Sequence, residues 1–496
     1  MLRYIFIILF FMSYGLSAFS QNNNPLRIEV ESNKIDDIYS LPLESKHLII
    51  LEHLHKRAPK GEHWILEAFN KQMRKMGNKD LFLPRDFILF DHKLLGDTVI
   101  WLCFAEADGD NSSMMLYRLN LKSMFMKHIY IKGSRKARLD RIEVLNNKLF
   151  IIGDNLKDIK SQVENAKLPY GIQLITAIIP EHSQIIDSKS DEKNNRVVII
   201  ISGRKEPSKG LFFFEFTEEG NSFSKSKLNI ANNVNIIDGR LIETSTKDLL
   251  FMGTYNSHYS RQSSKENIPA EGTYFGKISN KKFIFFKTNR FSEFRNVYST
   301  LDYRTAIKAK QKQSKGKNVD LAFKLLIHEK YFKQGNNYVM IAESYYPEYH
   351  YENNFDSRGY MYQTQVFDGY KTSNCIVAAF SEMGDLLWDN YMHINNIRSY
   401  SLQENVLTFP EEDSSIVIAY YYNAHIISKS VKGNEVVFKK TEEKIETVYR
   451  ENIISEELGN IQAWYGKFFI VSGHQIIIGK NSKKRKVFFF NLVSFD

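Results

Sequence analysis

The 496-residue sequence predicts an all-β protein, a β-propeller of about seven blades, with six or eight as the neighbouring counts. Three observations carry this expectation. Apolar and alternating runs of strand length recur along the chain, helical periodicity is scarce, and a weak repeat returns at roughly 50 residues.

The clearest runs lie at 48–51, 64–69, 87–90, 99–104, 114–119, 128–131, 148–152, 172–179, 197–201, 211–216 and 249–253. Others follow at 273–278, 282–287, 338–343, 363–367, 375–380, 416–422, 435–439, 467–472, 475–478 and 487–493. Turn chemistry separates them, as at Asn146-Asn147-Lys148, Pro207-Ser208-Lys209-Gly210 and Lys432-Gly433-Asn434. The segment 66–76 (LEAFNKQMRKM) fits either an amphipathic helix or a strand followed by a loop, and 455–458 reads as one helical turn. Strands do not alternate with helices, which disfavours a parallel α/β sheet.

Six units share one grammar: a polar turn, four to six apolar residues, a small residue, then polar positions. They are NNKLFIIGDN (146–155), NRVVIIISGR (195–204), KDLLFMGTYN (247–256), NNYVMIAESY (336–345), DSSIVIAYYY (413–422) and GKFFIVSGHQ (466–475). A fully apolar strand must be covered on both faces. A propeller does this by setting the second strand of each blade between neighbouring blades, whereas a closed barrel would alternate uniformly.

The amino terminus reads as an export leader over 1–20. Arg3 is followed by an apolar run at 4–12 (YIFIILFFM), and Ala18 and Ser20 suit cleavage before Gln21. The mature chain, 21–496, is expected to be one propeller domain that is exported: periplasmic, associated with the cell envelope or secreted. No later run approaches the roughly 20 apolar residues of a spanning helix, and the last residue, Asp496, is not the terminal aromatic of an outer-membrane barrel. Cys103 and Cys375 both lie in apolar runs, where a buried free thiol is expected. The net charge of +10 is scattered among acidic residues, so nucleic acid is not an expected partner.

Two segments break the grammar. The lysine-rich stretch near 302–320, with Lys308, Lys310, Lys312, Lys315 and Lys317, is expected to be a mobile loop between strands. The insertion near 345–362 (YYPEYHYENNFDSRGYMY) is too rich in Tyr for a simple linker.

The Gly253-Thr254-Tyr255 strand end, answered by Gly272-Thr273-Tyr274-Phe275-Gly276, resembles blades of uncharacterised exported β-propeller proteins of Bacteroidota. The Ala18-Phe19-Ser20-Gln21 leader end and the Lys-, Asn-, Ile- and Phe-heavy composition agree with that group. The resemblance covers about 240–280 and implies a fold, without a catalytic residue. These glycines are expected at turn positions of positive φ.

Residues that could carry chemistry are few. Asp108, Asp110 and Ser112 have the spacing that opens a calcium loop. Ser113 replaces the usual Gly and Leu119 the bidentate Glu, so a hairpin turn is expected instead. His53 and His55, with Glu52 and His63 nearby, could place two imidazoles on one strand face, but no third ligand is defined and a polar outer strand is expected. Lys480, Lys483, Lys484, Arg485 and Lys486 read as a solvated turn. The densest polar–aromatic cluster is Glu343, Tyr345, Tyr346, Glu348, Tyr349 and His350, a candidate binding loop for a glycan, a peptide or an envelope protein. Glu343 and Glu348 also allow a glycoside-hydrolysing reading, or the chain serves as a structural subunit of an envelope complex. No hydrolase elbow, zinc helix, P-loop or dinucleotide fingerprint occurs, so no cofactor or metal is expected and binding is favoured over catalysis.

Overall fold

The computed structural model describes residues 26–32, 35–58, 61–106, 113–133, 138–146, 148–154, 156, 173–178, 183–203, 210–217, 223–231, 233–244, 246–257, 268–317, 319–447, 451–479 and 483–494. The expected leader and the Asp108–Asp110–Ser112 turn lie outside them. The described residues form eight sheets: A (35–83), B (87–131), C (138–178), D (183–228), E (235–290), F (325–399), G (406–444) and H (452–494 with 26–31). Chain-adjacent strands lie side by side and antiparallel in B, D and E, and in F the short strands Leu325–Ile327 and Phe332–Gln334 both pair antiparallel with Asn337–Phe355. Sheet C has three described strands, and Gln173–Ile178 runs parallel to Lys148–Asp154.

The chain divides into two compact units. One holds sheets A and H, with Tyr420–Ile427; the other runs from Leu83 to Ala419 with Ser428–Thr441, and so contains sheets B to F. Sheet G has residues in both.

In the larger unit the core is a stack of sheet faces. Trp101, Cys103 and Leu116 of B meet Ile142, Leu149 and Ile151 of C. Phe150 and Ile152 of C meet Val197, Ile199 and Ile201 of D. Val198 and Ile200, the intervening residues of the same strand, face Phe251 and Tyr274 of E. Leu250, Met252 and Phe275 of E then meet Met340, Ile376 and Ala378 of F. Strand side chains alternate between faces, so a strand covered on both sides is apolar at consecutive positions along its covered run. All six repeat units fall on second strands: Lys148–Asp154, Arg196–Gly203, Leu249–Asn256, Asn337–Phe355, Ile416–Tyr422 and Phe468–Ile478. Leu249–Asn256 is buried at every residue, whereas the fourth strand of the same sheet, Lys282–Arg290, is mostly exposed or half-buried. Leu48–Ala58 and Val99–Glu106 hold the same second place in sheets A and B.

In the smaller unit, Leu48, Ile50 and Phe69 of A pack on Ile470, Phe488 and Phe490 of H. Sheet H is completed by the first described strand, Leu26–Glu31, antiparallel to Lys484–Ser494.

Of the two readings of 66–76, the strand followed by a loop is the one formed: Gly61–Phe69 turns into Lys75–Leu83. Three local expectations are corrected. Residues 455–458 lie in the strand Asn452–Ala463, whose register shifts on either side of 455–457. The lysine-rich segment holds α1 (Tyr303–Ser314): Asp302 Oδ1 accepts from the Thr305 N–H at 3.0 Å, and Gly316 at φ +66° lets the Lys317 N–H reach the Lys312 carbonyl at 3.0 Å. The turn reading of the last lysine cluster fails at Lys484, Arg485 and Lys486, which lie in a strand, Arg485 pairing with Glu29 and Glu451, each at 3.0 Å; Lys480 lies outside the described residues.

The glycines of the G-T-Y element serve close approach, not positive φ. Gly253 faces Gly239 across the sheet, and a Cβ at Gly239 would stand 1.9 Å from the Tyr274 hydroxyl. That buried hydroxyl donates to the Asp238 carbonyl at 3.1 Å.

Candidate functional site

In sheet F two strands outgrow their neighbours. Asn337–Phe355 and Met361–Phe380 pair from Tyr338↔Phe380 out to Phe355↔Met361, while the flanking strands stop at Ser344 and Tyr370. Residues 346–355 and 361–369 therefore form a two-stranded hairpin whose outer edges have no strand partner among the described residues. The segment expected to be a loop is this hairpin. Its turn is made by Asp356, whose Oδ1 accepts from the Arg358 and Tyr360 N–H groups at 2.9 and 2.8 Å, and by Gly359 at φ +82°.

Opposite residues share a face. One face carries Tyr349 with Phe367, Tyr351 with Gln365, Asn353 with Gln363, and Phe355 with Met361. Tyr351 is 65% and Phe355 68% exposed. Ring centroids step inward from Tyr349 to Phe367 (5.5 Å), Phe367 to Tyr370 (5.0 Å) and Tyr370 to Tyr345 (5.6 Å). The other face carries His350 with Val366, Glu352 with Thr364 and Asn354 with Tyr362, and there His350 Nε2 lies 3.1 Å from Glu352 and Nδ1 2.7 Å from Asp368. Those two hydrogen bonds raise the His350 pKa.

The sequence-selected residues separate into two environments. Tyr346, Tyr349 and His350 are exposed on the hairpin, and Glu348 sits at its base, bonded to Lys371 at 3.0 Å and Arg398 at 2.5 Å. Those partners, Lys371 first, hold the Glu348 carboxyl below its usual range. Tyr345 is buried and lines a cavity of about 150 Å³ with Ile237, Asp238, Thr254 and Leu402. Glu343 is 1% exposed. It accepts from the Asn405 and Val406 N–H groups at 2.8 and 2.9 Å and lies 2.8 Å from His328 Nε2. Burial opposes a charge on His328, but Glu343 and Glu404 outweigh it and raise its pKa.

Glu343 belongs to a larger polar seam. The first strands of sheets B to F adjoin in chain order, and four of them, in B to E, carry a β-bulge. In B, D and E an Asp follows the bulge: Asp91, Asp187 and Asp238. Asp187 accepts from Arg141 and from the Leu241 N–H, both at 2.7 Å, and Arg240 donates to the Ile327 carbonyl at 2.7 Å. Burial raises the Glu143 pKa despite Lys93. On Arg240, Asp238 and Asp187 outweigh the opposing effect of burial and raise the pKa. Sequence reading missed this seam, although its signal is present in Leu89-Phe90-Asp91-His92-Lys93, Ile185-Ile186-Asp187-Ser188-Lys189 and Ile236-Ile237-Asp238-Gly239-Arg240. It also missed Phe355, Gln363, Gln365 and Phe367, which the alternation of 349–355 and 361–367 would have placed on one face.

Two members of the possible imidazole cluster have separate partners, and the His55 side chain lies outside the described residues. His53 stacks on Trp64 at 4.5 Å, and His63 pairs with Asp80 at 2.7 Å. Cys103 and Cys375 are free and buried. No helix among the described residues is long and apolar enough to cross a membrane.

No family model and no curated protein matches the chain. Among solved structures it is similar to the β-propeller domain of the Trilobed protease from Pyrococcus furiosus: 7% identity, 93% of this chain and 96% of that one, TM-score 0.33. It is likewise similar to the WD40 domain of SCAP from fission yeast, at 7% identity, 95% and 97% coverage and TM-score 0.34. A third is the polysaccharide lyase Uly1, at 8% identity, 97% and 93% coverage and TM-score 0.33.

Proposed function

We propose that this chain is an exported β-propeller of eight blades that works as a binding module, with the hairpin of sheet F holding a glycan chain. The blade reading is supported by eight sheets in chain order, second strands apolar on both faces, and the first described strand completing the last sheet. Export rests on the leader sequence at 1–20.

The observation that carries the ligand class is the solvent-facing row Tyr349, Tyr351, Phe355 and Phe367 with Asn353, Gln363 and Gln365 on the same face. Flat rings offer apolar area to the faces of sugar rings, and amides exchange hydrogen bonds with hydroxyls. The hydrolytic reading is not supported by its two carboxylates. Glu343 is committed to Asn405, Val406 and His328, and Glu348 to Lys371 and Arg398. An envelope-protein partner is a second reading, favoured by the open hairpin edges, which suit strand addition.

Affinity electrophoresis through neutral polysaccharides tests the first reading. Tyr351→Ala and Phe355→Ala should each weaken retardation about 5- to 30-fold, the equivalent of about 1–2 kcal/mol per lost stacking ring. Retardation equal in both variants and the unmodified protein, or none at all, rejects the glycan site.

A further inference from the structure

We infer that α1 is a docking element for an anionic lipid surface, a role separate from the hairpin. The helix carries Arg304, Lys308, Lys310 and Lys312, and Lys315 and Lys317 follow within its C-terminal turn. Among the described residues none of these six cations has a carboxylate partner. The carboxylate at its start, Asp302, is occupied in capping. Arg304, Lys308 and Lys312 follow one another at intervals of four, a spacing at which like charges repel along one helix face. Such a stripe destabilises the free helix and gains most from a surface of opposite charge.

The seat of the helix decides which side is free. Ala309 is buried, and Gln313 donates to the Ser292 carbonyl at 3.3 Å, so that side faces the protein. At about 100° per residue, Tyr303 and Ile307 fall on a different side, and they are 80% and 37% exposed. Lys310 flanks them on one side, Arg304 and Lys308 on the other. An apolar row between basic residues is the arrangement of a helix lying in a membrane interface: the ring and the aliphatic chain enter the headgroup layer, and the cations meet lipid phosphates. That apolar row favours a bilayer over a soluble acidic polymer, which offers nothing for Tyr303 and Ile307 to enter.

The test is co-sedimentation of the full chain with vesicles of phosphatidylglycerol mixed with phosphatidylcholine, at low ionic strength. The protein should sediment with these vesicles, stay in solution with pure phosphatidylcholine, and be released as salt is raised. Arg304→Gln combined with Lys308→Gln should weaken binding about 30-fold, at about 1 kcal/mol for each charge near the surface. Gln keeps the helix propensity, and an unchanged melting temperature will show that the variant is folded. In a Tyr303→Trp variant, indole emission should shift to the blue on the anionic vesicles. Equal binding to neutral vesicles, no binding at low salt, or undiminished binding by the double variant overturns the inference. So does an unshifted indole together with binding to dextran sulfate, which would place the site on a soluble polyanion.

Discussion

At the scale of single residues, the most consequential placements are charges taken out of water. Glu52 lies on a second strand and is 7% exposed. Burial, and then the charge of Glu67, push its carboxyl up to about 7, against a smaller opposing effect of Lys75. A carboxyl that titrates higher in the folded chain binds its proton more tightly there than in the unfolded chain. Its contribution to stability is therefore complete at and below the ordinary carboxylate range and is lost as pH rises toward 7. Between pH 5 and pH 8 the unmodified protein should lose on the order of 3 kcal/mol relative to Glu52→Gln. Urea titrations of both proteins at the two pH values check this, and parallel profiles would show that Glu52 is charged at low cost. The Gly239–Gly253 pair makes a related point without charge: a Cβ at Gly239 would meet the Tyr274 hydroxyl, and one at Gly253 the Asp238 carbonyl.

At the scale of elements, the hairpin and α1 stand apart from the rest. A two-stranded ribbon with open edges is marginal alone, and this one continues strands that are anchored in the core at 338–345 and 372–380. Its outer half buries little. Replacing 350–366 by Asn-Gly closes the ribbon behind the Tyr349–Phe367 pair with a two-residue turn. The melting temperature should move by no more than about 2 °C, because exposed segments of a chain this long contribute little to stability. Glycan retardation should disappear. A drop of several degrees in calorimetry would instead make the outer rings packing groups.

At the scale of the molecule, the strand Leu26–Glu31 joins the two ends of the described chain in sheet H. Arg27 secures it. The side chain is fully buried, donates to Glu29 (2.7 Å), Gln475 (2.9 Å) and Asn491 (3.1 Å), and lies over the Phe489 ring at 4.5 Å. Arg27→Ala leaves Gln475 and Asn491 without their donor and Glu29 with Arg485 alone, and should cost about 3–5 kcal/mol. Urea unfolding measures the cost, and faster amide exchange across 484–494 should accompany it. A loss below about 1 kcal/mol would mean that backbone pairing alone holds the strand.

The all-β class and the six second strands were legible in the sequence, because a strand covered on both faces is apolar at consecutive positions along its covered run, and Ile199 or Phe251 announces that without reference to any partner. Val99–Ala105 and the first four residues of Leu48–Ala58 obey the same rule but were not grouped with the repeat. The α1 helix was obscured by its lysines, although Asp302 and Gly316 are ordinary helix-boundary residues. The candidate site was only half legible. Composition alone singled out Tyr346, Glu348, Tyr349 and His350, but could not separate Glu343 and Tyr345 from them, since Glu343 is defined by Asn405, Val406 and His328 far away in sequence. The polar seam likewise exists only after folding: Arg141, Asp187 and Leu241 belong to three sheets, and strand-to-strand packing alone brings a guanidinium, a carboxylate and a backbone N–H within hydrogen-bond reach. Local apolar pattern decides which segments become strands, because each strand answers to its own two faces. Which side chains meet across sheets is decided by long-range packing, which no stretch of sequence contains.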